Sequence, residues 1–232
     1  MRSNSRSASR YIGRAAVILA AGAVLTVFHG KASSGTVVGR VGVQAKDRPA
    51  KPARYHLGAF RSGRASSPRR EGGPQDVVVY LGSSGEGIQV QPPPPQPIMR
   101  QQHERFIPHV LPLRVGGSVD FPNADDFYHN VFSLMAGDRF DLGRYGQGDS
   151  ASQTFTSPGV VVVRCEIHSG MKAYILVLDT PHYTVPDSTG AFRLLDLPAG
   201  VHTITAWHPD SGEQHRQIVA GQSDTVSVDF QF

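Results

Sequence analysis

Between Phe106 and Asp179 the chain is divided into six short runs of strand-forming residues, each closed by a turn. Val110–Val115 runs into Gly116-Gly117, and Ser118–Phe121 stops at Pro122-Asn123. Asn130–Leu134 comes next, after His129. Ala151–Phe155 leads to Ser157-Pro158-Gly159, Val160–Arg164 (VVVVR) enters Cys165, and Ala173–Leu178 (AYILVL) closes the series. Runs of four to six residues leave no length for an amphipathic helix, and their spacing predicts an antiparallel sandwich. With 25 Gly and 17 Pro among 232 residues and 39% hydrophobic content, turns are plentiful and a core is affordable.

The flanks read the same way, so the expected fold class is all-β. Thr36–Val43 is a glycine-punctuated strand, and Asp76–Leu81 is a continuous apolar run that predicts a buried one. Residues 44–74 are rich in Arg, Lys, Ser, Pro and Gly and predict a disordered basic insertion. Pro92–Pro97 predicts a stiff extended connector. Beyond Thr180-Pro181, the runs Tyr183–Val185, Phe192–Leu194, Val201–Trp207 and Thr225–Phe230 alternate with turns at Asp187–Gly190 and Leu197–Gly200.

Residues 1–32 have the form of a secretory signal: four arginines, the uncharged run Ala15–Phe28, then Gly30-Lys31-Ala32. At 14 residues that run is short of the roughly 20 needed to span a bilayer, although an uncleaved N-terminal anchor stays open. Export, most readily to a periplasm, is the expectation. Of 23 basic and 19 acidic residues in the whole chain, five basic and no acidic ones lie in 1–32. The mature chain therefore holds 18 against 19, and no nucleic-acid partner is expected. The stretch Arg40–Arg70 keeps nine basic residues against one acid, Asp47. It reads either as a solvated loop or as a steering element for an acidic redox partner or an anionic membrane surface.

An exported chain with one cysteine cannot form an internal disulfide, and its thiol calls for an occupant. Cys165-Glu166-Ile167-His168-Ser169-Gly170-Met171 sets a thiolate, an imidazole and a thioether at Cys-x2-His-x2-Met spacing, on a tight loop after a strand. Soft sulfur with imidazole suits copper in both oxidation states. Two His and one Cys with a weak axial Met is the electron-transfer arrangement, and His129 is the candidate second imidazole. Structural zinc prefers four strong ligands, and Met is a poor one. His103 and His109 precede the strands carrying these candidates, with His109 reading as a surface or edge residue, and His182, His202, His208 and His215 lack mutual ligand spacing and read as structural or solvated. Glu166 beside the cysteine would favour the more oxidised metal if its charge is close and unscreened.

The stretches LRVGGSVDFPNADDFYHNVF, TFTSPGVVVVRCEIHSGM and AYILVLDT resemble the cupredoxin family, in the style of plastocyanin and amicyanin. The resemblance implies an eight-stranded Greek-key sandwich over 83–180 with one type 1 copper, ligated by His129, Cys165, His168 and Met171. It also implies that Asn130 holds the ligand loop near the sulfur. YTVPDSTGAFRLLDLPAGVHTITAWHPD resembles the carboxypeptidase regulatory-like (transthyretin-like) sandwich, and GTVVGRVGV with DVVVYL resembles its opening strands. That resemblance implies a discontinuous domain of 35–82 and 181–232 around the copper domain. A tandem with a disordered N-terminal arm is the alternative. The combination is similar to that of exported methylamine-utilisation-like proteins.

No GxSxG, HExxH, phosphate loop or paired His-x-His motif is present, so no enzymatic activity is expected. The expected function is one-electron transfer with a redox partner protein. Copper storage or delivery without turnover, and a metal-free interaction protein, are the alternatives.

Overall fold

The computed structural model describes residues 34–44, 72–82, 96–135 and 137–232. The expected leader at 1–32, most of the expected basic insertion and most of the proline connector lie outside the described residues. Within them the protein is all-β apart from a single 3-10 turn, Pro74–Asp76.

Two strands open the chain, β1 (Gly35–Gly42) and β2 (Val78–Leu81). Nine follow: β3 (Arg100–Gln101), β4 (Phe106–Ile107), β5 (Val110–Arg114), β6 (Ser118–Pro122), β7 (His129–Ser133), β8 (Phe140–Tyr145), β9 (Ser150–Thr154), β10 (Gly159–Arg164) and β11 (Lys172–Leu178). The last six are β12 (Tyr183–Thr184), β13 (Ala191–Leu197), β14 (Gly200–His208), β15 (Gly212–Ala220), β16 (Thr225–Ser227) and β17 (Phe230–Gln231).

One sandwich is built from both ends of the chain. β1 pairs antiparallel with β13 and parallel with β16 and β17, while β2 lies between β12 and β14, and β15 forms the edge. Val37, Val41, Phe192 and Leu194 from the first sheet meet Val79, Leu81, Ile204 and Ala206 from the second. Gly39 is obligatory on β1, because a Cβ there would overlap the Val228 carbonyl and the Phe192 ring.

The other sandwich takes β3 to β11. Its five-stranded sheet runs β5-β11-β10-β7-β8 and faces the β3–β4 and β6–β9 pairs, which single bridges join at Ile98–Asp120 and Gln101–Asn123. Nine strands are found among the described residues where the resemblance implies eight, the two-residue β3 and β4 pairing as a short hairpin. Nor is the pairing wholly antiparallel: β11 runs parallel to β5, since the chain crosses to the facing sheet between them. Met99, Phe121, Val131, Phe155, Val163 and Ile175 fill the centre.

β11 shows why its sequence is continuously apolar. Ala173, Ile175 and Val177 face the core of their own sandwich, whereas Tyr174, Leu176 and Leu178 join Val78 and Trp207 in a third cluster. A strand covered on both faces loses the alternation that a solvent-facing strand shows. Burial of each large apolar side chain contributes about 1.5–3 kcal/mol, so this junction is a substantial part of the fold.

Candidate metal centre

β10 alternates with period two, which points Val161 and Val163 into the core. Cys165, two residues on, keeps that inward parity and is only 4% exposed. Arg164 pairs with Lys172 across the β10–β11 ladder, so residues Cys165–Met171 form the connection. It closes on itself: Met171 N–H donates to the His168 carbonyl at 2.9 Å, and Cys165 N–H to the Met171 carbonyl at 3.3 Å. On the neighbouring strand, Phe132 pairs with Arg164, which brings the start of β7 beside the loop. His129, the first residue of β7, is fully buried there.

Three ligand atoms converge. His129 Nδ1 lies 3.8 Å from Cys165 Sγ, His168 Nδ1 lies 3.9 Å from the same sulfur, and the two nitrogens are 3.1 Å apart. The point equidistant from all three, in their plane, is about 2.1 Å from each, against metal–nitrogen distances of about 2.0–2.1 Å and metal–thiolate distances of about 2.3 Å. The donor set therefore fits a trigonal metal ion. Met171 is buried in the same cluster as Cys165. Among the described residues this is the one group of three or more His, Cys, Asp or Glu side chains with converging ligand atoms.

The electrostatics favour a bound cation. Burial pushes the Cys165 thiol up, but hydrogen bonding to His129, the Asn130 backbone and His168 outweighs it and brings its pKa from 9.0 down to about 6. Burial disfavours charge on His129, yet contact with Cys165 and Asp125 raises its pKa above the ordinary value. Asp125 is desolvated too, but donors from Glu104, His129 and His103 hold its carboxyl below the usual range.

Several participants escape a motif reading. Asp125 Oδ2 sits 2.9 Å from His129 Nε2. Phe127, 37% exposed, packs its ring 5.0 Å from that of His129 and 5.3 Å from that of His168. Both belong to the turn before β7, where polar composition conceals any role; a carboxylate four residues before a ligand histidine is the signal available. Asn130 accepts the Glu166 N–H through Oδ1 at 2.6 Å. Glu166 points outward and pairs with Arg144 at 3.1 Å, both side chains being about 60% exposed. Three other histidines have partners of their own: His109 pairs with Asp76, His202 Nε2 lies 2.7 Å from the Pro198 carbonyl, and His215 Nδ1 lies 3.0 Å from Thr205 Oγ1.

Fold and site together define an all-β protein with a candidate His2Cys metal centre on a hairpin loop. The sequence matches no family model and no curated protein. Parts of the chain are similar to solved cupredoxin structures. A Cu-containing nitrite reductase from Thermus scotoductus SA-01 is 28% identical, with a TM-score of 0.35, over 40% of this chain and 25% of that one. A purple cupredoxin from Nitrosopumilus maritimus is 22% identical, with a TM-score of 0.31, over 35% of this chain and 96% of that one. A Cu(I) amicyanin point mutant is 19% identical, with a TM-score of 0.34, over 35% and 80%. The chain thus spans a quarter of the nitrite reductase's length. At these TM-scores the likenesses carry no weight, and the metal assignment rests on the ligand geometry.

Proposed function

We propose that this chain is an exported protein that holds one type 1 copper through His129, Cys165, His168 and Met171 and passes single electrons to and from a partner protein. The observation that carries this reading is the triangle of His129 Nδ1, Cys165 Sγ and His168 Nδ1, sized for a trigonal ion. Copper held there would supply a one-electron couple, with the Met171 thioether as a weak, soft additional donor.

The protein side of the work is division of access. His129 and Cys165 are buried and keep water from the sulfur, while His168 is half-buried beside the exposed Phe127 ring. Electrons enter and leave by the His168 edge. The two loop hydrogen bonds and the Asn130 contact hold the ligands in place, so a change of oxidation state needs little rearrangement.

The other sandwich, with β1 and β2 paired to strands beyond residue 183, is read as a discontinuous regulatory-like domain serving as a docking scaffold. In this reading 1–32 directs export, and the basic stretch steers the protein toward an acidic partner or an anionic membrane surface. The protein is a carrier, not an enzyme.

Voltammetry and self-exchange on the leaderless, copper-loaded chain test the function. Reversible one-electron cycling with fast self-exchange is the expected result. Slow exchange with tight Cu(I) retention and transfer to an apo acceptor would replace it with storage or delivery, and failure to retain metal with a scaffold role.

A further inference from the structure

N–H donors on two sides hold the Asp125 carboxylate. His103 N–H donates to Oδ1 at 2.6 Å, Glu104 N–H donates to Oδ2 at 3.0 Å, and His129 Nε2 lies 2.9 Å from Oδ2. The side chain is 8% exposed, so the groups facing it replace water. Its own N–H donates to Asn123 Oδ1 at 3.0 Å, and Asn123 Nδ2 in turn donates to the Phe127 and Tyr145 carbonyls at 2.8 and 3.1 Å. The carboxylate is therefore placed by the tip of the β3–β4 hairpin and by the turn that leads into β7.

The hairpin tip shows how the first two of these donors are aimed. His103 and Glu104 have φ of 56° and 55°, a left-handed conformation that residues with a Cβ adopt at a cost. That conformation is what aims both of their backbone N–H groups at Asp125. Positive φ at both central residues is the ordinary geometry of a two-residue hairpin turn, closed here by Gln102 N–H to the Arg105 carbonyl at 2.9 Å, and in this chain the same two residues turn their N–H groups to Asp125.

We infer that Asp125 is a positioning residue for the metal centre: it holds the proton of His129 on Nε2, turns the Nδ1 lone pair toward Cys165 and His168, and places a fixed negative charge behind that ligand. This deepens the copper reading and rests on it. A carboxylate bonded to the far nitrogen of a ligand imidazole fixes its tautomer and raises its basicity. Negative charge behind the ligand favours Cu(II) over Cu(I), so its effect is to lower the reduction potential.

The test compares the full leaderless chain with Asp125→Asn, both loaded with copper. The amide in that variant keeps an oxygen that accepts from His129 but carries no charge. Expected are a retained thiolate-to-copper absorption band and a roughly tenfold loss of Cu(II) affinity at unchanged Cu(I) affinity, the low end of what such partners contribute. For one electron, tenfold corresponds to a potential about 59 mV higher. Asp125→Glu, which restores the charge, is expected to recover part of the shift. A purely structural role would lower the unfolding midpoint and leave the potential alone, and that result overturns the inference. Should Asp125→Asn not fold, nitrogen NMR of the metal-free wild-type chain decides: a neutral His129 with its proton on Nε2 supports the inference, and one with its proton on Nδ1 overturns it. Absence of the band in the wild-type chain would instead overturn the copper reading beneath it.

Discussion

Asn130 Oδ1 accepts the backbone N–H of Glu166 at 2.6 Å, which ties the strand carrying His129 to the loop carrying Cys165 and His168. The same amide reaches Asp141 Oδ1 through Nδ2 at 3.3 Å, so one buried side chain spans β7, β8 and the ligand loop.

Asn130→Ala leaves the Glu166 N–H without its acceptor. The apo protein is expected to lose about 0.5–1.5 kcal/mol in urea unfolding, the net contribution of a typical hydrogen bond. Copper-loaded Asn130→Ala is expected to show broadened Cu(II) EPR lines as the loop samples more geometries.

Glu166 and Arg144 give the opposite case. Both side chains are largely in solvent, so their 3.1 Å pair is screened. Glu166→Gln should change the unfolding free energy by no more than about 1 kcal/mol. A larger loss in chemical denaturation would show that the pair holds the loop closed.

The apo protein should carry a Cys165 thiolate at neutral pH. Its pKa of about 6 places the thiol form below that pH and the thiolate above it, where an ordinary cysteine would change only near 9.0. The ultraviolet absorbance of the thiolate, followed against pH in metal-free protein, should rise around 6 and be missing in Cys165→Ser. His129→Ala removes the largest lowering contact and should move the midpoint upward.

Trp207, the chain's one tryptophan, packs edge-on to Tyr174 with centroids 5.9 Å apart in the junction between the sandwiches. Leu176→Ala opens a cavity in that cluster and is expected to cost about 2–5 kcal/mol. Trp207 emission should move to the red with it, and an unshifted spectrum would mean that the junction does not shield the indole.

How much of this was legible in the sequence follows burial. β2, β10 and β11 are readable as apolar runs because one or both faces are covered. β8 (FDLGRY) and β15 (GEQHRQIVA) went unrecognised: each is the edge of its sheet, largely exposed, and carries the polar residues that an edge tolerates. The two-residue β3 and β4 are too short for any period. At the site, spacing and residue type single out His129, Cys165, His168 and Met171, the cupredoxin resemblance adds Asn130, and the structure brings the ligand atoms of His129, Cys165 and His168 together. Asp125 and Phe127 lay hidden in a turn, where Asp and aromatic residues carry no periodic signal and where only the folded path shows what they face.

The most direct measurement is the visible absorption and EPR spectrum of the leaderless chain after addition of one equivalent of Cu(II), beside Cys165→Ser. The account predicts an intense blue thiolate-to-copper band that dithionite bleaches and that Cys165→Ser lacks. A colourless protein, or an ordinary tetragonal Cu(II) signal that is the same in Cys165→Ser, would contradict it.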